Sequence, residues 1–161
     1  DTEYLYDNVM NKYRWGGVSD PDVYVDSFVA HNLAASNGRH SHVRLAEALM
    51  AEGDTVRAIE VLDHAFEVLP LSQFRNTYMI TTPAIEAYYK AGAGEKGDAI
   101  LYDFADDLEE YIRYYVQFTG RWEDLVADEL GDKLANLQEL YRIALLYDRR
   151  EAAKRIYSVF E

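Results

Sequence analysis

Residues 46–70 read AEALMAEGDTVRAIEVLDHAFEVLP. Apolar side chains recur every three or four positions on both sides of Gly53-Asp54, with Leu49 and Met50 before it and Val56, Ile59, Leu62, Ala65, Phe66 and Leu69 after it. That period marks a helix with one buried face. Gly53 falls where the first helix has to stop. The residue just past a helix end often takes a left-handed backbone, which glycine adopts without a Cβ penalty. Asp54 can then cap the next helix by accepting a backbone N–H, and Pro70 ends it. The stretch therefore predicts two antiparallel helices joined by a tight reversal.

Outward from this pair the same grammar returns. Val43, Leu45 and Ala46 complete the first helical face. Residues 83–118 repeat a helix, a glycine break at Gly92 to Gly94 and a second, long helix over about 95–118. Gly120 and Trp122 mark a turn, and 123–147 is a further helix. Asp148 starts a short break before a terminal helix carrying Ala152, Ile156, Val159 and Phe160. Residues 1–38 form an irregular, aromatic-rich segment packed on this array. It has room for one short helix, with Asp20 as N-cap and Pro21 at the first helical position, running to about Ser36. Residues 39–161 are the helical-repeat domain. No strand-type alternation of useful length occurs, so the expected fold is all-α, six to seven helices stacked as hairpins.

Composition limits the function classes. The chain has 161 residues, 49% hydrophobic and 28% charged, which suits one globular domain with its own core. A net charge of −13 argues against nucleic acid and against an anionic membrane surface, and favours a basic protein partner. There is no cysteine, so no disulfide frame and no thiolate chemistry. No apolar run approaches the roughly 18–20 residues that span a bilayer. The chain opens at Asp1 rather than Met, as expected of a piece of a longer protein.

The stretch around Gly53 resembles a tetratricopeptide repeat, its small, large, small and proline positions filled by Ala58, Leu62, Ala65 and Pro70. Small residues let two helices cross closely, and a bulkier side chain at Ala58 would overpack that crossing by ~1–3 kcal/mol. A second copy, AYYKAGAGEKGDAIL, places Gly97 at the small position and Leu101 at the large one. A third, ALLYDRREAAKRIYSVF, offers Ala153, Tyr157 and Phe160. Ala58 to Gly97 is 39 residues and Gly97 to Ala153 is 56, against ~34 in regular arrays. The array is thus a divergent tetratricopeptide-like α-α superhelix.

The stretches DNVMNKYRWGGVSDPDVYVD, RLAEALMAEGDTVRAIEVLDHAFEVLP and TPAIEAYYKAGAGEKGDAI together resemble the soluble C-terminal region of a bacterial multispanning membrane-protein family. The N-terminal membrane domain of that family is itself similar to protein O-mannosyltransferases. The resemblance implies a non-catalytic interaction or scaffold tail facing the periplasm, joined to the membrane only by tethering in the full-length protein. Its partner would be a protein or peptide, or its own membrane domain. None of the family's catalytic motifs falls within these residues, so the resemblance assigns no catalytic residue.

Reactive centres are weakly signalled. His40-Ser41-His42 could be a metal pair, but i and i+2 face different sides of a helix, so the expected reading is a solvated helix start. His31 and His64 read as isolated surface residues. Asp103, Asp106, Asp107, Glu109, Glu110, Glu123, Asp124, Asp128, Glu129 and Asp132 form an acidic band opposed within its span by Arg113 and Arg121. Paired carboxylates can cleave glycosides when held ~5–9.5 Å apart, so the alternative is a small carbohydrate-binding or hydrolytic domain using this band and the aromatics near Trp15 and Trp122. The run from Gly92 to Gly97 lacks the strand and the Gly-Lys-Ser/Thr ending of a phosphate loop. No cofactor and no metal are expected.

By the repeat alignment, a concave groove, either open or filled by the long helices 95–118 and 123–147, would be lined by Val43, Glu47 and Met50 from the first copy, Thr82, Glu86, Tyr89 and Lys90 from the second, and Gln138, Arg142 and Leu145 from the third. Gly53, Asp54, Ala58, Leu62, Ala65, Pro70, Gly92 and Gly97 are the structural positions. One outcome follows from the cap alone. Gly53→Val should lower the thermal midpoint more than Gly53→Asn, because asparagine tolerates a left-handed backbone and a β-branched residue does not. Equal midpoints would contradict the assigned cap.

Overall fold

The computed structural model describes residues 1–30, 32, 38–74 and 78–160, with backbone alone at 78–80. The described residues form α1 (Thr2–Asp7), a π-helical turn (Asn8–Lys12), α2 (Ser27–Ala30), α3 (Arg39–Ala51), α4 (Thr55–Val68), α5 (Tyr78–Lys90), α6 (Gly94–Tyr115), α7 (Arg121–Leu146) and α8 (Arg150–Tyr157). No strand occurs among them. The fold is all-α, built of helical hairpins. It divides into two compact units, 1–97 and 98–161, with the boundary inside α6.

Three reversals share one geometry. Residues 52–54, 91–93 and 147–149 join α3 to α4, α5 to α6 and α7 to α8. The middle residue of each is left-handed: Gly53 at φ +85°, Gly92 at +79° and Asp148 at +54°. Around Gly53, its own N–H donates to the Met50 carbonyl at 3.0 Å and the Asp54 N–H to the Leu49 carbonyl at 2.9 Å. The same pair of bonds recurs from Gly92 to Tyr89 (3.1 Å) and Ala93 to Tyr88 (2.9 Å), and from Asp148 to Leu145 (3.2 Å) and Arg149 to Ala144 (2.7 Å). This Schellman arrangement satisfies helix-end carbonyls that would otherwise lack partners. The Asp54 carboxylate accepts from the Arg57 N–H at 3.0 Å and starts α4. Five residues after each left-handed position comes a small buried residue, Ala58, Gly97 or Ala153. A Cβ added at Gly97 would lie 2.6 Å from Cε1 of Tyr89, so α6 begins too close to α5 for any side chain there.

In the first unit α3 packs on α4 and α5, and α1 packs on α3. Leu45, Ala46 and Leu49 meet Ala58, Val61, Leu62 and Ala65, all fully buried, with Ile85 and Ala87 of α5 also buried. Pro83 sits inside α5 and removes one backbone donor. The helix continues across it, with Thr81 and Thr82 buried before the proline and Ala84, Ile85, Ala87 and Tyr88 buried after it.

The N-terminal segment differs from expectation. Asp20 does not cap a helix: its carboxylate accepts from the Asp22 N–H at 3.0 Å and its carbonyl from the Val23 N–H at 3.0 Å, making a β-turn. Pro21 occupies the second position of that turn, where its fixed φ fits equally well. The helix starts later, capped by Asp26, whose carboxylate accepts from Phe28 N–H at 2.9 Å. The remainder of the expected helix, residues 31 and 33–36, lies outside the described residues. The described residues thus form eight α-helices where six or seven are expected. The one with no expected counterpart, α1, is six residues long, too short to show a period. Val18 joins Leu69 and Phe74 in a small core beside Trp15.

The second unit contains residues 98–115 of α6 with α7 and α8. Its buried residues are Leu101, Phe104, Ala105, Leu108, Leu137, Leu140, Ile143, Ala152 and Ile156, among others. Ion pairs tie α6 to the last hairpin. The Arg149 Nε donates to both Asp98 oxygens at 2.9 and 3.1 Å, and Arg155 Nη2 reaches Asp106 at 2.5 Å and Glu109 at 2.6 Å.

Asp148 holds a conformation that costs a non-glycine residue on the order of 1 kcal/mol. Asp148→Gly should raise the melting midpoint by a few degrees. A lower midpoint would mean that the exposed Asp148–Arg150 pair, at 2.8 Å, contributes more than the strain.

Candidate functional site

The structure distributes the expected groove residues over two environments. In the first unit Val43, Thr82 and Tyr89 are buried, so they do not line an open groove. The correction has a simple cause: α3 packs on both α4 and α5, and Tyr89 lies against Gly97. Met50 and Glu86 are half-buried, and Glu47 and Lys90 are exposed. Lys90 Nζ lies 3.4 Å from Glu86 and 4.0 Å from Glu47, linking α5 to α3 in one charged strip. In the second unit Gln138, Arg142 and Leu145 are all exposed on α7. Arg142 engages Glu139 through Nε at 2.8 Å and Nη2 at 2.7 Å.

Beneath the first unit's surface lies a polar cluster that the sequence reading missed. His42 is fully buried, not solvated. Its Nδ1 is 2.8 Å from the Gly38 carbonyl, an acceptor, so Nδ1 carries the proton of the neutral ring. Its Nε2 is then the acceptor for Nδ1–H of His64, 3.0 Å away. His64 is therefore not isolated. Trp15 packs against both rings, tilted on His42 and edge-on to His64, at centroid distances of 5.4 and 6.4 Å. Beside them Arg39, also fully buried, donates to the Leu69 carbonyl at 2.5 Å and to Thr81 Oγ1 at 3.3 Å, with its guanidinium 5.0 Å over Phe66. Burial, reinforced by His64 and Arg39, pulls the His42 imidazole down to about 4, and burial lowers Arg39 to about 10. One signal was available: His42 and His64 stand eleven residues before and after Gly53, so an antiparallel hairpin turning there brings them level. His40 is exposed, and His31 lies outside the described residues.

The acidic band is split between ion pairs and open helix faces. Arg155 of α8 binds Asp106 and Glu109, a cation that the local sequence did not show, and with Arg113 it holds the Glu109 carboxyl below its usual range. Lys133, buried, lies 3.7 Å from Glu129 and 5.4 Å over Tyr111. Asp103, Glu110, Glu123, Asp124, Asp128 and Asp132 are exposed. Among the described residues no group of three or more histidines and carboxylates is placed to hold a metal ion, and no helix is long and apolar enough to cross a membrane.

The last hairpin carries an open groove of about 490 Å³. Tyr141 and Leu145 of α7 form one wall, and Ala153, Lys154 and Tyr157 of α8 the other, with Arg150 at one end. The Tyr141 and Tyr157 rings are 6.3 Å apart. Tyr157, expected to plug the third repeat, is 54% exposed here.

No protein-family model, no curated protein and no solved structure matches the chain.

Buried His42 makes stability depend on pH. The folded chain resists protonating His42 until about pH 4, whereas the unfolded chain binds that proton near 6.5. Its contribution is therefore complete above pH 6.5 and is lost as pH falls toward 4, by about 3 kcal/mol. Urea melts of wild type and His42→Gln at pH 7.5 and 4.5 check this. The wild-type loss should exceed the variant's by roughly that amount, and equal losses would contradict it.

Proposed function

We infer that this chain is a non-catalytic helical-repeat domain that holds a protein or peptide partner. Three reversals with the same bond pattern, each followed at the same distance by a small buried residue, carry this reading. Stacked pairs of this kind build a continuous core and leave one strip of each first helix on the surface. Here those strips offer Glu47, Glu86 and Lys90 in one unit and Gln138 and Arg142 in the other. Such a surface recognises by charge and shape and performs no bond chemistry. The family resemblance extends the proposal: the domain is the extracytoplasmic tail of a multispanning glycosyltransferase-like protein, and it positions an acceptor protein, a subunit or the membrane domain itself. The acidic band gives less support to a hydrolytic or carbohydrate-binding role, because Asp106 and Glu109 are engaged by Arg155 and most of the others are solvated.

A photo-crosslinking residue at Glu47 or Gln138 in the full-length protein should trap one discrete adduct in cells, and none at Asp22 on the N-terminal turn. No adduct at either first-helix position would overturn the reading. Release of chromophore from an aryl glycoside, abolished by Asp124→Asn, would replace it with the hydrolytic one.

A further inference from the structure

We propose that the groove between α7 and α8 is the docking site for an amphipathic helix of a partner protein whose flanks are acidic. The proposal rests on the reading of the chain as an interaction domain and gives the partner a chemistry.

The repeat itself shows what belongs there. Counting from the left-handed residue, the ninth position onward is Leu62, Leu101 and Tyr157; the first two are fully buried and Tyr157 is 54% exposed. The third position back is Met50, Tyr89 and Leu145; Met50 is half-buried, Tyr89 is 8% exposed and Leu145 is 53% exposed. On the first hairpin the corresponding face is covered by a helix, since α5 packs on both α3 and α4. The last hairpin presents the same face with larger apolar groups, so a helix is the shape it accepts, and its apolar stripe would meet Leu145, Tyr141 and Tyr157.

Charge selects among helices. The charged residues lining the groove are Arg150 and Lys154. Their counterparts on the first hairpin are Thr55 and Ile59, which carry no charge. Position ten is Asp63 on the first hairpin, which takes Lys96 at 2.5 Å, and the uncharged Ser158 on the last. The groove lining of the last hairpin thus carries two cations and no carboxylate, in a chain of net charge −13. Arg150 and Lys154 also pair with Asp148 and Glu151 at 2.8 and 2.7 Å. All four side chains are largely exposed, and pairs of that kind hold weakly enough to be traded for a partner carboxylate.

The test uses a fluorescein-labelled peptide of roughly 18 residues, five helical turns, with leucine along one face and glutamate on its flanks. A second peptide carries lysine in place of every glutamate. Anisotropy titrations with the full chain should give binding of the glutamate peptide about tenfold tighter than the lysine peptide. Tyr157→Glu, an exposed site checked for folding by circular dichroism, should abolish binding, and Arg150→Glu with Lys154→Glu should invert the preference. Equal affinity for both peptides, or indifference to the charge reversal, overturns the proposal. So does a concentration-dependent dimer that Tyr157→Glu dissociates, because a second copy would then fill the groove. Failure of both peptides to bind also overturns it, and leaves the scaffold reading to the crosslinks at Glu47 and Gln138.

Discussion

A helix can hand the chain to an antiparallel neighbour only if its last carbonyls find donors, and here that constraint is met by one residue with a positive φ. Gly53, Gly92 and Asp148 each bend the backbone so that two successive N–H groups point back at the helix just completed. Everything larger is built on that reversal. It sets the register of the two helices, and the register sets which residues cross. Ala58, Gly97 and Ala153 all fall at the same distance from their turn, where room is scarcest. The array tolerates unequal repeats for the same reason. The turn reads only its own few residues, so helices of 13 and 14 residues in one hairpin and of 26 and eight in another close in the same way.

Much of this was legible because the turn is local chemistry. A glycine after an apolar periodic run, followed by a capping aspartate, names its own conformation. Period 3.6 likewise picks out Ala58, Leu62 and Ala65 as one face, and all three are fully buried. Asp148 was harder, since aspartate reaches the left-handed region less readily than glycine and reads as an ordinary break. The short helix α1 was not legible at all. It is held by neighbours distant in sequence: Thr2 Oγ1 donates to Glu52 at 2.5 Å and Glu3 meets Arg57 at 2.7 Å.

The surface was less legible than the core. Periodicity tells which residues share a face, but not which face the next helix will cover. Val43, Thr82 and Tyr89 belong to the expected strip and lie buried, while Glu47 and Lys90 on the same helices stay in solvent. The histidine pair was hidden for a related reason. A lone histidine on a helix looks like a surface residue until the hairpin places a second one opposite it, and Trp15, from a segment without a readable period, completes the enclosure.

The unequal lengths within the second unit give it a gradient of firmness. Eight-residue α8 lies along the end of α7 next to their turn, where Leu137, Leu140, Ile143 and Ala144 are buried. The opposite end of α7 carries Trp122 and Leu125, 50% and 70% exposed, and Tyr114 at the end of α6 and Val116 just past it are 56% and 58% exposed. Few apolar contacts oppose fraying there, so the free energy of local opening falls along the helices from the turn to the tip. The unit is thus a firm base with a soft end, and its amide protons should be released to solvent from that end first.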